Sequence, residues 1–350
     1  EIEEIQGNYL LDISFLGKFD FGFDYYSKDT KDVLVNIPIP RMSGYSRQVV
    51  NAASVRNSGF EFNGSYTTTL SQGLDIRAYG NFATVSNKVR SLGGGGSFSF
   101  TQYRGNNINR VEEGQPLAFL YGYKTDGIFH SQEEIDTYLN KDNEKIQPTA
   151  KPGDLKFVDV DGDGSIGGND RTKIGSGFPK FTYGFGVDLA YKGFDLNMFF
   201  QGVGGSQIFN ALKYEGLFVN PACNQYTEIM GRFHPENNPN GNLPRVTTKD
   251  NNSNRRISDY YVESGSYLRM KTLTLGYTFN KNLSKKIGLQ KLRVYVTAQN
   301  LFTITPYSGF DPDLGNAYSN ELNNTSTDIG IDRGQFPQPR TFILGVNLNF

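Results

Sequence analysis

Residues 341–350 have the sequence TFILGVNLNF, and this stretch decides the fold class. In an extended chain, successive side chains point to opposite faces. One face of this stretch would be apolar throughout, while the other would carry Ile343, a glycine and two asparagines. A period of two with one apolar face predicts a half-buried β-strand. The apolar positions are Phe342, Leu344, Val346, Leu348 and Phe350.

The same alternation recurs about ten more times upstream, which gives about eleven predicted strands. Short turns containing glycine join several of these runs in pairs, as expected for antiparallel hairpins. The clear runs are 9–15, 19–26, 60–70, 74–82, 181–191, 194–201, 273–279 and 292–297, and the weaker runs are 98–111 and 117–125. We therefore expect an all-β, antiparallel chain.

The composition favours a sheet with one apolar and one polar face over a compact globule. The 350 residues include 27 Phe and 21 Tyr, yet only 37% are hydrophobic and the net charge is -1. A net charge so close to zero provides no positive electrostatic field that would attract nucleic acid. There is no apolar run of 18 residues, which argues against a transmembrane helix, whereas a transmembrane strand needs only about 9–11 alternating residues. The single cysteine, Cys223, excludes an internal disulfide framework.

The connections alternate in length. Short turns are expected near residues 17, 72, 114, 192 and 285, with longer connections between them. This asymmetry is typical of transmembrane β-barrels, which have short periplasmic turns and long extracellular loops. The predicted fold is therefore an antiparallel transmembrane β-barrel, with extracellular loops at 127–179, 205–265 and 304–339. An odd strand count whose last strand ends in the periplasm predicts part of a larger barrel, because bacterial single-chain barrels have an even number of strands.

An Asp-rich stretch at 159–170, DVDGDGSIGGND, has the spacing of a twelve-residue calcium loop. Carboxylates occupy positions 1, 3, 5 and 12, and a glycine occupies the sharp turn. The predicted ligands are the carboxylates of Asp159, Asp161, Asp163 and Asp170 and the backbone carbonyl of Ser165. The extended segment before the loop and the glycines after it do not fit an EF-hand. The alternative is an acidic turn without metal; we favour a structural Ca²⁺ that braces an extracellular loop.

No catalytic set is visible, so we predict that the chain is not an enzyme. His130 and His234 are the only histidines, and neither lies in a metal or triad motif. A short helix with a capping box is expected at 131–140. The tyrosine pairs at 25–26 and 260–261 are predicted to lie at the membrane interface. Alternate polar residues should face the barrel lumen: Glu61, Asn63, Asp75, Arg77, Asp188, Asp195 and Asn197.

Several stretches together resemble the SusC/RagA-type TonB-dependent outer-membrane transporters. They are 114–116 (GQP), 121–129 (YGYKTDGIF), 152–158 (PGDLKFV) running into the Asp-rich loop, 181–185 (FTYGF), 265–271 (GSYLRMK), 298–302 (AQNLF) and the terminal Phe350. The resemblance extends over nearly the whole chain and implies that it is the C-terminal part of such a transporter. The complete barrel would have about 22 strands.

The resemblance also implies a function and partners. The chain would form barrel wall and loops of an importer of oligosaccharides or peptides, acting with a SusD-like surface lipoprotein and driven by TonB. The plug domain would lie outside residues 1–350. The alternate apolar residues of 342–350 would face outer-membrane lipid and resemble the signal that barrel-assembly machinery recognises. A structural or adhesive surface protein with calcium-braced loops remains the alternative.

Overall fold

The computed structural model describes residues 3–38, 42, 44–45, 47–71, 73–93, 96–99, 101–219, 224–286, 288–314 and 328–350. Cys223 and part of the predicted loop 304–339 lie outside these residues. In chain order the strands are β1 (Glu3–Phe15), β2 (Phe19–Pro38), β3 (Arg47–Thr69), β4 (Asp75–Thr84), β5 (Ser86–Ser91), β6 (Gln102–Tyr103), β7 (Asn106–Asn107), β8 (Asn109–Arg110), β9 (Phe119–Gly122), β10 (Thr125–Ile128), β11 (Leu155–Phe157), β12 (Thr172–Gly175), β13 (Phe181–Tyr191), β14 (Phe194–Gly204), β15 (Gln207–Asn210), β16 (Val262–Ser264), β17 (Tyr267–Thr278), β18 (Lys291–Gln299), β19 (Thr303–Ile304), β20 (Ile331–Asp332) and β21 (Thr341–Asn349).

One large sheet forms a wall. Nine of its strands lie side by side in the order β1-β2-β3-β4-β13-β14-β17-β18-β21, each antiparallel to its neighbours. Two more strands, β5 and β19, pair with β3 and β17 and bring the sheet to eleven strands. Because the spatial order follows the chain order, the wall is a series of hairpins. Within the described residues β1 and β21 each pair on one side only, so the sheet is an open stretch of wall.

The weaker strand pair predicted at 98–111 and 117–125 does not belong to this wall. The structure has short strands there, and β8 and β9 form a small separate sheet with β12. Ile108 and Leu120 are fully buried away from the wall. The turn near residue 114 is bonded to the end of the wall, since Gly114 N donates to Val89 O at 2.9 Å. That turn therefore does not join two wall strands. The wall still has eleven strands, because β5 and β19 belong to it in place of the two runs that lie elsewhere.

The predicted alternation holds across the wall. Asp188 on β13 lies opposite Arg77 on β4 and Asn197 on β14, which places the three polar residues on one face. The Phe185 and Phe200 rings stack with centroids 4.9 Å apart on the apolar face. Cross-strand aromatic pairs of this kind stabilise a sheet beyond the area that they bury.

The described parts of the longer connections fold together into a body with its own core, which we call the loop cap (101–175, 207–219, 224–263 and 328–332). Its central side chains include Phe209, Tyr214 and Tyr261. Tyr261 is completely buried there, and Tyr260 packs against the same cluster. The prediction that residues 260–261 lie at the membrane interface is therefore wrong, because the Tyr261 ring is buried in the core of the cap and the Tyr260 ring packs against that core.

Helices are short and confined to the connections. They are α1 (Gln132–Thr137), α2 (Ala211–Gly216) and α3 (Lys281–Lys286), with 3-10 turns at Gly168–Asp170, Thr227–Gly231 and Asp259–Tyr261. The predicted cap at Ser131 is present, since its side chain accepts from Glu134 N at 3.2 Å. The helix ends earlier than expected, at Thr137. No helix in the described part of the chain is long and apolar enough to cross a membrane.

Candidate metal centre

The Asp-rich loop connects β11 to β12 and is part of the loop cap. Leu155 and Phe157 of β11 are fully buried and fix the start of the loop. Ile166 packs against the same apolar cluster, and Arg256 Nη1 donates to Ile166 O at 3.3 Å. The loop ends in the 3-10 turn Gly168–Asp170, which places Asp170 in the interior. Both ends of the loop are thus held by packing.

Three of the four predicted carboxylate ligands converge. One oxygen each from Asp159, Asp161 and Asp170 lie within 4.8 Å of one another. Asp170 is 1% exposed. Within the described residues these three form the only such group of three or more potential ligand side chains. Hard oxygen donors at this spacing fit Ca²⁺ better than a softer metal.

Backbone amides hold the carboxylates in place. The two oxygens of Asp159 accept from Gly162 N at 2.7 Å and from Gly164 N at 2.9 Å. Those of Asp170 accept from Val160 N at 2.7 Å and Gly167 N at 2.6 Å. Partial burial acts to raise the pKa of Asp159, but hydrogen bonding by the amides of Gly164 and Gly162, together with the side chains of Asp170 and Asp161, holds that pKa below its usual value. The carboxylate is therefore ionised at neutral pH.

The glycine at the sharp turn is required by both backbone conformation and space. Gly164 has a φ of 91°, which L side chains rarely adopt. A Cβ there would lie 2.6 Å from Asn140 Nδ2. The loop can therefore close against the segment after α1 only with glycine at this position.

Asp163 and Ser165, which the sequence also predicts as ligands, lie outside the group of three carboxylates. Asp163 Oδ1 accepts from Ser165 N at 2.8 Å and from Ser165 Oγ at 2.9 Å. These bonds make a local turn at the solvent side of the loop. Metal binding by these two residues stays a prediction.

The polar face of the wall carries charge pairs between neighbouring strands. Asp188 Oδ2 lies 3.9 Å from Arg77 Nη1, and Asp188 Oδ1 accepts a hydrogen bond from Asn197 Nδ2. Asp195 instead pairs with Arg293 of β18, whose Nε lies 2.9 Å from Asp195 Oδ1. The structure thus brings together Arg77, Asp188 and Asn197 of the predicted lumen set. The partner Arg293 was missed, although it stands in the predicted run 292–297.

Strand β21 presents the apolar face that its sequence predicts. It pairs with β18 from Gln299↔Thr341 to Lys291↔Asn349. Phe342, Leu344, Val346, Leu348 and Phe350 are all exposed. This row continues the apolar face of the wall.

Comparison with known proteins identifies relatives along the whole chain. TonB-dependent receptor P3 of Formosa agariphila is 35% identical over 348 residues, covering 97% of this chain and 33% of the relative. TonB-dependent receptor P26 of the same organism is 30% identical over 96% of this chain. The chain is homologous to TonB-dependent receptors. The TonB-dependent receptor SusC of Bacteroides thetaiotaomicron is also related, at 27% identity over 97% of this chain.

This TonB-dependent receptor homologue spans about a third of the length of the curated relatives that it matches. No protein-family model matches it. Its fold is similar to that in a structure of the RagAB peptide transporter, with a TM-score of 0.77 and 23% identity, covering 100% of this chain and 35% of the other. The predicted resemblance and the antiparallel fold class are confirmed. The relatives are named as receptors, which agrees with the prediction that the chain is not an enzyme.

Proposed function

We propose that this chain forms part of the wall and external loops of a TonB-dependent importer in the outer membrane. The observation that carries the proposal is homology to TonB-dependent receptors along 97% of the chain. The wall supports it physically, because β-strands span lipid when their backbone groups pair with neighbouring strands and one face is apolar. The face with Phe185 and Phe200 would contact lipid, and the face with Asp188 would line the lumen.

The proposed cargo is an oligosaccharide or a peptide. One relative is SusC, and one similar fold is described as a peptide transporter. At 23% identity the latter likeness supports the fold alone, so both cargo classes stay open. We propose a SusD-like surface lipoprotein as partner, TonB as the source of energy through a segment outside residues 1–350, and barrel-assembly machinery acting on β21.

We also propose that the Asp-rich loop holds a structural Ca²⁺. Asp159, Asp161 and Asp170 would supply the carboxylates, with Asp163 and Ser165 as further candidates. The cation would balance two of the three close negative charges and brace the loop within the cap. The buried carboxylate of Asp170 supports this role, because its oxygens accept bonds from backbone amides and face two other carboxylates.

Uptake in living cells tests the importer. The gene for the full-length receptor is deleted, and uptake of fluorescent oligosaccharides and peptides is measured with and without a plasmid copy. We expect at least one labelled class to enter only with the plasmid, and to stay outside when TonB is depleted. Unchanged uptake of all of them, together with a loss of cell attachment, would instead support the adhesive alternative.

A further inference from the structure

A basic cavity lies beside the Asp-rich loop, whose Gly168 and Asn169 form part of its lining, and contains none of the converging carboxylates. It has a volume of about 380 Å³ and lies between the β8–β9 hairpin and the start of β12. Arg110, Arg171 and Lys173 line it, against a single acidic residue, Glu112. Glu112 pairs with Arg110, with Oε2 and Nε 3.2 Å apart. Two of the three positive charges therefore have no acidic counterpart in the cavity lining.

Two guanidinium groups converge on one tyrosine ring. The Cζ atoms of Arg110 and Arg171 lie 4.7 and 4.6 Å from the Tyr121 ring centroid. Arg110 Nη1 donates to Tyr121 Oη at 2.6 Å, and Arg171 Nη2 donates to Tyr121 O at 3.2 Å. The ring faces stabilise both cations and fix their planes. The two guanidinium groups are thus held close to one ring, and only Arg110 has an acidic partner in the lining, Glu112.

The positive charges around this cavity are only partly compensated. Arg171 Nε is buried and has no hydrogen-bond partner among the described residues. Leaving such a charged donor unpaired costs free energy. Lys173 Nζ donates to a neutral acceptor, Gln115 Oε1, at 3.2 Å. The Lys173 residue is exposed, but partial desolvation of its ammonium group lowers its pKa, and nearby Lys180 lowers that pKa further. A negative group entering the cavity would stabilise the charged form of Lys173 and offset the charge of Arg171.

We propose that this cavity binds an oxyanion group, a carboxylate or a sulfate, carried by the molecule that the receptor takes up. Guanidinium groups bind such groups through paired charge-assisted hydrogen bonds, and the lysine adds a third charge. The assignment of the anion to the cargo rests on the proposed import function. The binding of an oxyanion by the cavity does not.

Binding is tested on the purified full-length receptor by calorimetry. Sodium sulfate and sodium acetate are titrated separately at constant ionic strength with chloride. We expect saturable binding of at least one, and the stronger one identifies the class of anion. Lys173→Gln and Arg110→Gln should each weaken it about tenfold, because each removes a charge-assisted hydrogen bond. Lys173→Arg, which keeps the charge, should retain binding.

Lys145→Gln is the matched control, because this exposed lysine of the loop cap pairs with Asp136 away from the cavity. It should leave the anion affinity unchanged. Absence of saturable binding to both anions, or equal weakening by the control, would overturn the proposal. Thermal unfolding of each variant separates lost binding from lost folding, and Lys173→Gln alters an exposed position where folding should persist.

The two proposals fail separately. Sulfate or acetate binding by the receptor, with normal uptake in the deletion strain, would support the cavity and contradict import. Uptake that requires the receptor, without any anion binding, would support import and contradict the anion-binding cavity.

Discussion

Asp154 and Arg245 form a buried ion pair between two connections of the loop cap. Arg245 Nε lies 2.6 Å from Asp154 Oδ1, and Nη2 lies 3.2 Å from Oδ2. The Asp154 side chain is completely buried, and Asn254 Nδ2 also donates to it at 2.8 Å. The pair joins the predicted loops 127–179 and 205–265 into one body. The Asp-rich loop starts at Asp159, shortly after β11. The ion pair therefore fixes the segment that leads into this loop.

Replacing Asp154 by alanine should loosen the loop cap. The change leaves the Arg245 guanidinium largely buried without its carboxylate, and breaking one side of such a pair costs about 3–5 kcal/mol. Hydrogen exchange of the full-length receptor would show this as faster exchange in β10 and β11, because local opening becomes easier. Asp126→Ala is the control, since Asp126 pairs with Lys156 at an exposed position. Equal protection in both variants would contradict this role for the pair.

Calcium affinity should depend unequally on the acidic residues of the Asp-rich loop. Wild-type binding is expected in the weak extracellular range, roughly 10⁻⁴–10⁻³ M. Asp161→Asn should weaken it about tenfold, since it removes one of three converging charges. Asp163→Asn should have a much smaller effect, because Asp163 is bonded to Ser165. Calorimetry with CaCl₂ on the full-length receptor measures both, and equal losses would mean that Asp163 is a ligand after all.

The wall was predictable because each strand obeys the same physical rule. A strand with two different environments must alternate, and runs such as 181–191 show it plainly. The runs at 98–111 and 117–125 also alternate, yet they lie in the loop cap. An alternation with a period of two indicates that one face of a strand is covered. It does not indicate whether lipid or a protein core covers that face. Ile108 and Leu120 belong to such a core.

The convergence of the loop carboxylates was partly predictable for a similar reason. The spacing of Asp159, Asp161 and Asp170 is local, and closing one loop brings them together. The pair Asp154–Arg245 joins residues that are 91 apart, and the lining of the basic cavity comes from three strands, β8, β9 and β12. Neither has a local pattern in the sequence. Tyr260 and Tyr261 were misplaced because paired tyrosines suit a membrane interface and a protein core equally well.

Gly122→Ala should destabilise the loop cap. A Cβ at this position would lie 2.4 Å from Ile257 O, a backbone atom that cannot rotate away. That carbonyl already accepts from Tyr123 N at 2.8 Å, so β9 and the 257–258 segment would have to separate. Overpacking of this kind costs about 1–3 kcal/mol. Faster hydrogen exchange at β9 would measure this destabilisation. Gly7→Ala is the matched control, because Gly7 also lies in a strand but a Cβ there would have nothing within 4 Å. Equal effects of the two changes would refute the steric argument.

Deleting Phe350 should impair insertion of the full-length receptor into the outer membrane more than it impairs binding by the molecules that do insert. Phe350 continues the exposed apolar row of β21 but lies beyond the last paired residue, Asn349. Its loss therefore removes an apolar contact while all the β18–β21 pairs remain, so the folded wall should be little changed. Surface labelling of intact cells measures insertion, and ligand binding per labelled molecule measures the fold. Phe336→Ala is the control, because Phe336 is equally exposed but belongs to the connection before β21. Normal surface levels of the receptor that lacks Phe350 would show that this aromatic residue is not an assembly signal.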